Sequence, residues 1–345
     1  MTAADVVGGI LLAGITLYAA LGGADFGGGL WDLLAGGTRR GRAPRALIDT
    51  SITPVWEANH VWLIFILVVF WTGFPRAFSA VMTTAALPLW LALGGIVLRG
   101  AGFAFRKELS RLHAQRATGA VFALSSLMTP FFMGTVIGTI ATGAVPVSGK
   151  VDLDAWTSPT SLLIGALFVA ACGYLAAVYL VGEADRRDDR LMLDYFIDRA
   201  RIAAVVAGAL SLVTLIVLRG SNQALFDRLI GRALPLVILA GVCGLAVVVL
   251  LTARRLRGTR AIAALGVAAV VWGWGVAQYP VLLPGTPVTL TNAGAPQVTF
   301  VSLIVVFIAA LVLVVPSFGL LFVLQSRHLL EAEETAMPSA ADPPG

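Results

Sequence analysis

Charge is what this chain has least of. Asp, Glu, Lys and Arg make up 12% of its 345 residues, against about a quarter in soluble domains, which excludes a surface wetted on all sides. Cysteine is nearly absent. Cys172 and Cys243 each sit in the middle of an apolar run, which excludes a disulfide framework and leaves them as small buried hydrophobes. Histidine is scarce as well. The three, His60, His113 and His328, form no pair at ligand spacing, and no Cys–His cluster occurs. There is no phosphate-binding glycine loop, no nucleophile arrangement and no nucleic-acid face. The N-terminus, Met-Thr-Ala-Ala-Asp, has no basic segment, so the first apolar run reads as a retained span and not as a cleaved signal.

What fills the chain is apolar: 58% of residues are hydrophobic and the mean hydropathy is +0.90. Nine runs stand out, near 5–35, 54–74, 77–98, 118–141, 160–182, 202–218, 234–252, 261–281 and 300–325. They predict an all-α integral membrane protein with one polytopic domain over 1–330. An acidic, Pro-rich tail over 331–345 reads as disordered. Of 24 Lys and Arg, 19 follow the odd-numbered spans or lie in the C-terminus, while the other side holds only Arg76, Lys150, Arg219, Arg228 and Arg232. By the positive-inside rule the N-terminus is outside and the tail cytoplasmic. The net charge of +5 therefore reports topology, with membrane lipid and not nucleic acid as the partner. Loop 142–159 carries an interfacial Trp156, and the uncharged loop 282–299 is expected to lie on the protein or membrane surface. Gly23/Gly27 and Gly134/Gly138 have the small-xxx-small spacing of close helix packing. The run Gly22–Gly29 should weaken a helix, and it embeds Asp25.

The polar exceptions to this apolar background concentrate in two places. In Pro54-Val-Trp-Glu-Ala-Asn-His-Val-Trp, the side chains of Trp56, Glu57, Asn59 and His60 cover roughly 160° of helical arc. An acid in a membrane helix is costly and usually functional. Glu57 sits about 5 Å inside the second span and Asp25 lies in the inner half of the first, so the two suggest an entry path for protons or cations. The competing reading has Glu57 pair with an Arg of segment 39–45, or bond His60. For His60, a hydrogen-bonded place in the same path is preferred over an axial-ligand role. Asp5 fits a helix N-terminus, and Asp32 a solvated pairing beside Arg39–Arg45. The segment from Arg99 to Lys107 reads as a short basic, topogenic turn.

Taken together, several motifs resemble the second subunit of cytochrome bd-type quinol oxidases. They are Gly23-Ala-Asp-Phe-Gly-Gly-Gly, Pro54-Val-Trp-Glu-Ala-Asn-His-Val-Trp-Leu, Leu98-Arg-Gly-Ala-Gly-Phe-Ala-Phe-Arg, Pro130-Phe-Phe-Met-Gly-Thr-Val-Ile-Gly, and Tyr279-Pro-Val-Leu-Leu-Pro followed by Leu290-Thr-Asn-Ala. The resemblance implies nine transmembrane helices, as two four-helix bundles and one peripheral helix, in a bacterial cytoplasmic (inner) membrane. It implies a haem-bearing subunit I as partner, carrying haems b and d, which oxidises quinol and reduces oxygen. This chain would bind no cofactor firmly and would serve assembly and proton supply, with quinone binding in some members. Asp25 and Glu57 match the family's acids, and Trp56 and Asn59 match their neighbours. Arg99 and Arg106 flank the third motif. Glu57 stands for the usual Asp, His60 for Gln or Glu, Gly22 for an acid in some members, and Ala104 for another. The rival readings are a proton- or ion-coupled secondary transporter, which should show paired helix breaks, and a purely structural assembly subunit.

Overall fold

The computed structural model describes residues 2–37, 39–52, 56–108 and 112–326; the side chains of 52, 56–58, 103–104, 106–108, 112–117, 314–315 and 318–326 are not part of that description. The chain begins with α1 (Ala3–Leu17), a π-turn (Tyr18–Gly22) and α2 (Gly23–Leu34), which together make one 32-residue helix. The glycines of 22–29 therefore do not break it. The disturbance is a widened turn that ends at the first of them, Gly22, and is of a kind often found at functional sites. Then follow α3 (Arg42–Ile52), α4 (Trp56–Gly73), α5 (Pro75–Thr84), α6 (Ala86–Glu108) and α7 (Leu112–Thr142). The remainder is α8 (Leu153–Thr157), α9 (Pro159–Arg186), α10 (Arg190–Ser221), α11 (Gln223–Ile230), α12 (Leu234–Thr252), α13 (Thr259–Gln278) and α14 (Gln297–Ser326).

Among the described residues six helices are long and apolar enough to cross a bilayer: Ala3–Leu34, Thr118–Thr142, Pro159–Arg186, Arg190–Ser221, Leu234–Thr252 and Thr259–Gln278. Asn59–Gly73 qualifies only together with Pro75–Thr84, from which it is bent by 120°, and Ala86–Gly102 and Gln297–Leu313 are shorter apolar helices. The expected span at 77–98 is thus corrected. It is two helices, and the long one is Ala86–Glu108. Pro88 supplies the reason. Its ring would clash with the carbonyl four residues back, that of Thr84, where α5 ends. The run at 202–218, the shortest expected, belongs to a 32-residue helix. The tail 331–345 lies outside the described residues.

Glycines set the helix spacing. A Cβ on Gly138 would lie 2.4 Å from the Cα of Ser161, and one on Gly134 2.7 Å from the Cα of Gly165, so α7 and α9 touch backbone to backbone. Gly27 of α2 faces the Cys172 carbonyl of α9 in the same manner. Beside it, Trp31 Nε1 donates to the Gly173 carbonyl at 2.8 Å. Trp31→Phe keeps an aromatic ring but removes this bond, while the Gly173 carbonyl stays within the hydrogen-bond ladder of α9. The expected cost is about 0.5–1.5 kcal/mol, read as a lower thermal midpoint in detergent.

Two large cores result. One joins Trp31, Leu47, Ile48, the length of α9 from Tyr174 to Ala184, and Phe196, Val247 and Leu251. The other closes the end at which α1 begins. There α5 and loop 279–296 fold over the helix ends, burying Phe74, Val81, Leu283, Val288 and Phe300. The uncharged loop accordingly lies on the protein, as expected. Trp156 is half-buried and packs edge-on against Phe132 at 6.0 Å.

Candidate functional site: a buried ion pair between three helices

The π-turn and the glycines after it bring α2 unusually close to its neighbours. Gly29 has no Cβ where Ser126 of α7 sits, 2.2 Å from the position that atom would take. On α6, Gly95 makes the same room for Thr129 and Gly102 for Phe122. In the tight angle between α2, α6 and α7 lie Asp25 and Arg99, each 2% exposed.

Arg99 engages Asp25 as a fork. Nη1 donates to Oδ2 at 2.7 Å and Nη2 to Oδ1 at 2.6 Å. Nη2 also donates to the Asp25 carbonyl at 3.1 Å, and Nε to Ser126 Oγ at 3.0 Å. Ser126 Oγ in turn donates to the Phe122 carbonyl at 2.6 Å. The guanidinium lies over two rings, Phe26 at 4.8 Å and Phe122 at 5.1 Å. Bidentate geometry of this kind is the strong form of an ion pair. Arg99 is therefore not in a topogenic turn: it lies inside α6, neutralised by a residue 74 positions earlier. Removing it from the charge tally leaves the asymmetry between the two sides intact.

The stretch around Glu57 meets this site from the side. α4 packs on α1, the π-turn and α14. Asn59, 5% exposed, donates through Nδ2 to the Leu21 carbonyl of the π-turn at 3.4 Å. His60 lies edge-on to Phe26 at 6.2 Å, so Phe26 touches both His60 and Arg99. Tyr18, in the π-turn, meets the other edge of Phe26 at 6.3 Å. Glu57 and Trp56 occupy the first turn of α4 and Arg106 the last turns of α6, and their side chains lie outside the described residues. Asp32 pairs with Arg45 as expected, Nε to Oδ1 at 2.6 Å. It is buried at 4% exposure, not solvated.

Sequence reasoning missed Phe26, Phe122 and Ser126 as partners of the charge. A signal was available: the small residues Gly29, Gly95 and Gly102 mark where α2, α6 and α7 converge. Among the described residues no three His, Cys, Asp or Glu gather as a metal site.

A polytopic helical membrane protein with a fully desolvated Asp–Arg pair at the junction of three helices is the class that this fold and site define. Its particular family follows from sequence. The chain belongs to the cytochrome bd terminal oxidase subunit II family, whose profile matches residues 3–325. It is similar to cytochrome bd ubiquinol oxidase subunit 2 of Bacillus subtilis (strain 168), at 30% identity over 138 residues, 40% of each chain. It is also similar to cytochrome bd-I ubiquinol oxidase subunit 2 of Escherichia coli (strain K12), at 26% identity over 191 residues, 52% of this chain and 48% of that one. The matched region thus spans about half or less of these relatives' length. The bd oxidase structure from Geobacillus thermodenitrificans shares the fold, with a TM-score of 0.74 at 24% identity, covering 93% of this chain and 98% of that one.

Proposed function

We propose that this chain is the haem-free second subunit of a bd-type quinol:oxygen oxidoreductase in the bacterial cytoplasmic membrane. The observation that carries this reading is the family match along residues 3–325. In it the chain makes nine crossings, as two four-helix bundles and a peripheral helix, with the N-terminus outside and the C-terminus cytoplasmic. A haem-bearing subunit I oxidises quinol and reduces oxygen to water. That reduction consumes a proton for each electron, and this chain helps to supply the protons from the cytoplasm.

The proton route starts at Glu57, in the first turn of α4, which follows the Arg-rich segment 39–45 and α3 along the chain. A carboxyl there can take up a proton from the cytoplasmic side and release it inward. Asn59 and His60, on the same helix, hold water beyond it. The Asp25–Arg99 pair borders this route on the far side of Phe26. The transporter reading gains nothing from the fold at residues 22–29, where the helix runs on unbroken.

Two measurements test the proposal. Purification of the tagged chain should bring down a second, haem-bearing subunit, seen in a reduced-minus-oxidised spectrum. A colourless preparation of this chain alone would sink the oxidase reading. Glu57→Gln should then lower oxygen consumption per haem about tenfold or more, with the spectrum unchanged. Wild-type turnover in that variant would remove the proton role.

A further inference from the structure

The geometry points to a division of labour within the proposed proton site. We infer that Asp25 and Arg99 form a permanently charged staple holding α2 to α6 and α7, and that protons entering at Glu57 pass along α4 without ever residing on Asp25. The second half rests on the proton reading above. The first stands without it.

A proton carrier must bind a proton on a free oxygen and then surrender it. On Asp25, Oδ1 and Oδ2 each receive an N–H of the same guanidinium, at 2.6 and 2.7 Å. A lone pair remains on each oxygen, but a proton placed there would weaken both charge-assisted bonds. It would also cancel the only opposite charge that, among the described residues, faces Arg99, whose own charge cannot be shed. The side chains are 3% and 1% exposed, so bulk solvent does not reach them to compensate. Protonating Asp25 is therefore equivalent to burying an unpaired arginine in the membrane, the most heavily penalised arrangement available there.

The surroundings agree with a staple. Arg99 is held at four points, two on the carboxylate, one on the Asp25 carbonyl and one on Ser126. These bonds link three helices at one depth. The phenyl ring of Phe26 fills the approach from α4, touching His60 on one side and the guanidinium on another. A carboxylate that relays protons needs a wet approach, and among the described residues a hydrocarbon ring stands between His60 and the pair. Arg99 thus serves the packing of the helices, and Phe26, which it stacks on, presents another edge to His60.

The test compares breaking the pair with removing it, in the complex purified with its haem-bearing partner. Asp25→Asn and Arg99→Met, made singly, each leave one buried group stranded and should cut the yield of assembled complex about tenfold or more. Asp25→Leu with Arg99→Met removes both charges and should restore assembly to within about twofold of wild type. Its turnover per assembled complex and its solvent deuterium isotope effect should match wild type. If the double variant assembles but turns over about tenfold more slowly with a raised isotope effect, as expected of Glu57→Gln, Asp25 carries protons and the inference falls. If both single variants assemble normally, there is no staple. If the double variant does not assemble, infrared difference spectra of wild type and Asp25→Glu decide. A protonated-carboxyl band that appears during turnover and shifts in Asp25→Glu overturns the inference, and the lack of one supports it. Wild-type turnover in Glu57→Gln would remove the proton reading while leaving the assembly pattern of the staple untouched.

Discussion

Gly27→Ala is expected to prevent folded protein from accumulating. The added methyl would lie 1.9 Å from the Cys172 carbonyl oxygen and 2.4 Å from its carbon, atoms of a helix backbone that no rotamer change can move. Relief requires α2 to back away from α9 along its whole contact. That would loosen the Trp31–Gly173 hydrogen bond and shift Asp25, two residues away, out of register with Arg99. Overpacking typically costs about 1–3 kcal/mol, and a backbone obstacle belongs at or above the top of that range. Gly94→Ala is the matched control, because its Cβ would meet nothing within 4 Å. It should be neutral or stabilising by up to about 1 kcal/mol, the helix-propensity difference. Detergent-solubilised yield and thermal midpoint check both. Equal behaviour of the two variants would refute the packing argument.

Phe74→Ala carries the second large effect. Phe74 is wholly buried at the 120° bend between α4 and α5, and its ring lies 5.6 Å from that of Phe300 at the start of α14. Next to it, the Gly73 carbonyl accepts from the Ala295 amide at 2.9 Å, tying loop 279–296 to the bend. Truncating a buried Phe costs about 3–5 kcal/mol. Because the ring joins α4, α5 and α14, the damage should be local first. Limited proteolysis should cut loop 282–296 faster, at a protease level that leaves the rest of the variant intact. An unchanged cleavage rate would show that the loop is anchored elsewhere.

Much of this architecture is written in residue pattern. Apolar runs locate the long helices because hydrocarbon demands a continuous sequence signal, and Gly134/Gly138 announce their packing by spacing alone. Segment 77–98 misled because hydropathy counts apolar residues without asking whether a helix can pass through them. Pro88 decided that locally, by denying Thr84 its continuation. The site was half legible. Asp25, Asn59 and His60 stood out as polar residues on apolar helices, yet Arg99 looked like one more basic residue at a span end. Its identity as the partner of Asp25 is a tertiary fact. Nothing in the 73 residues between them announces that α2 and α6 both pack on α7 and so bring the two side chains together. Only the scatter of Gly29, Gly95 and Gly102 hints at how closely each of them approaches α7.

The order of the two charges along the chain bears on how the protein is made. A lone arginine near the middle of a nascent helix resists insertion, by about 2.5–3.5 kcal/mol in translocon measurements. Arg99 lies within α6, and the apolar part of that helix is short. Synthesis runs from the N-terminus, so Asp25 is already within the bilayer when Arg99 leaves the ribosome. The first long helix, α1 to α2, then acts as a receptor for α6, offering a carboxylate to a segment that would hesitate at the membrane alone. Asp25→Asn should therefore show its defect earliest as failed integration of α6 during translation, before any partner subunit is met.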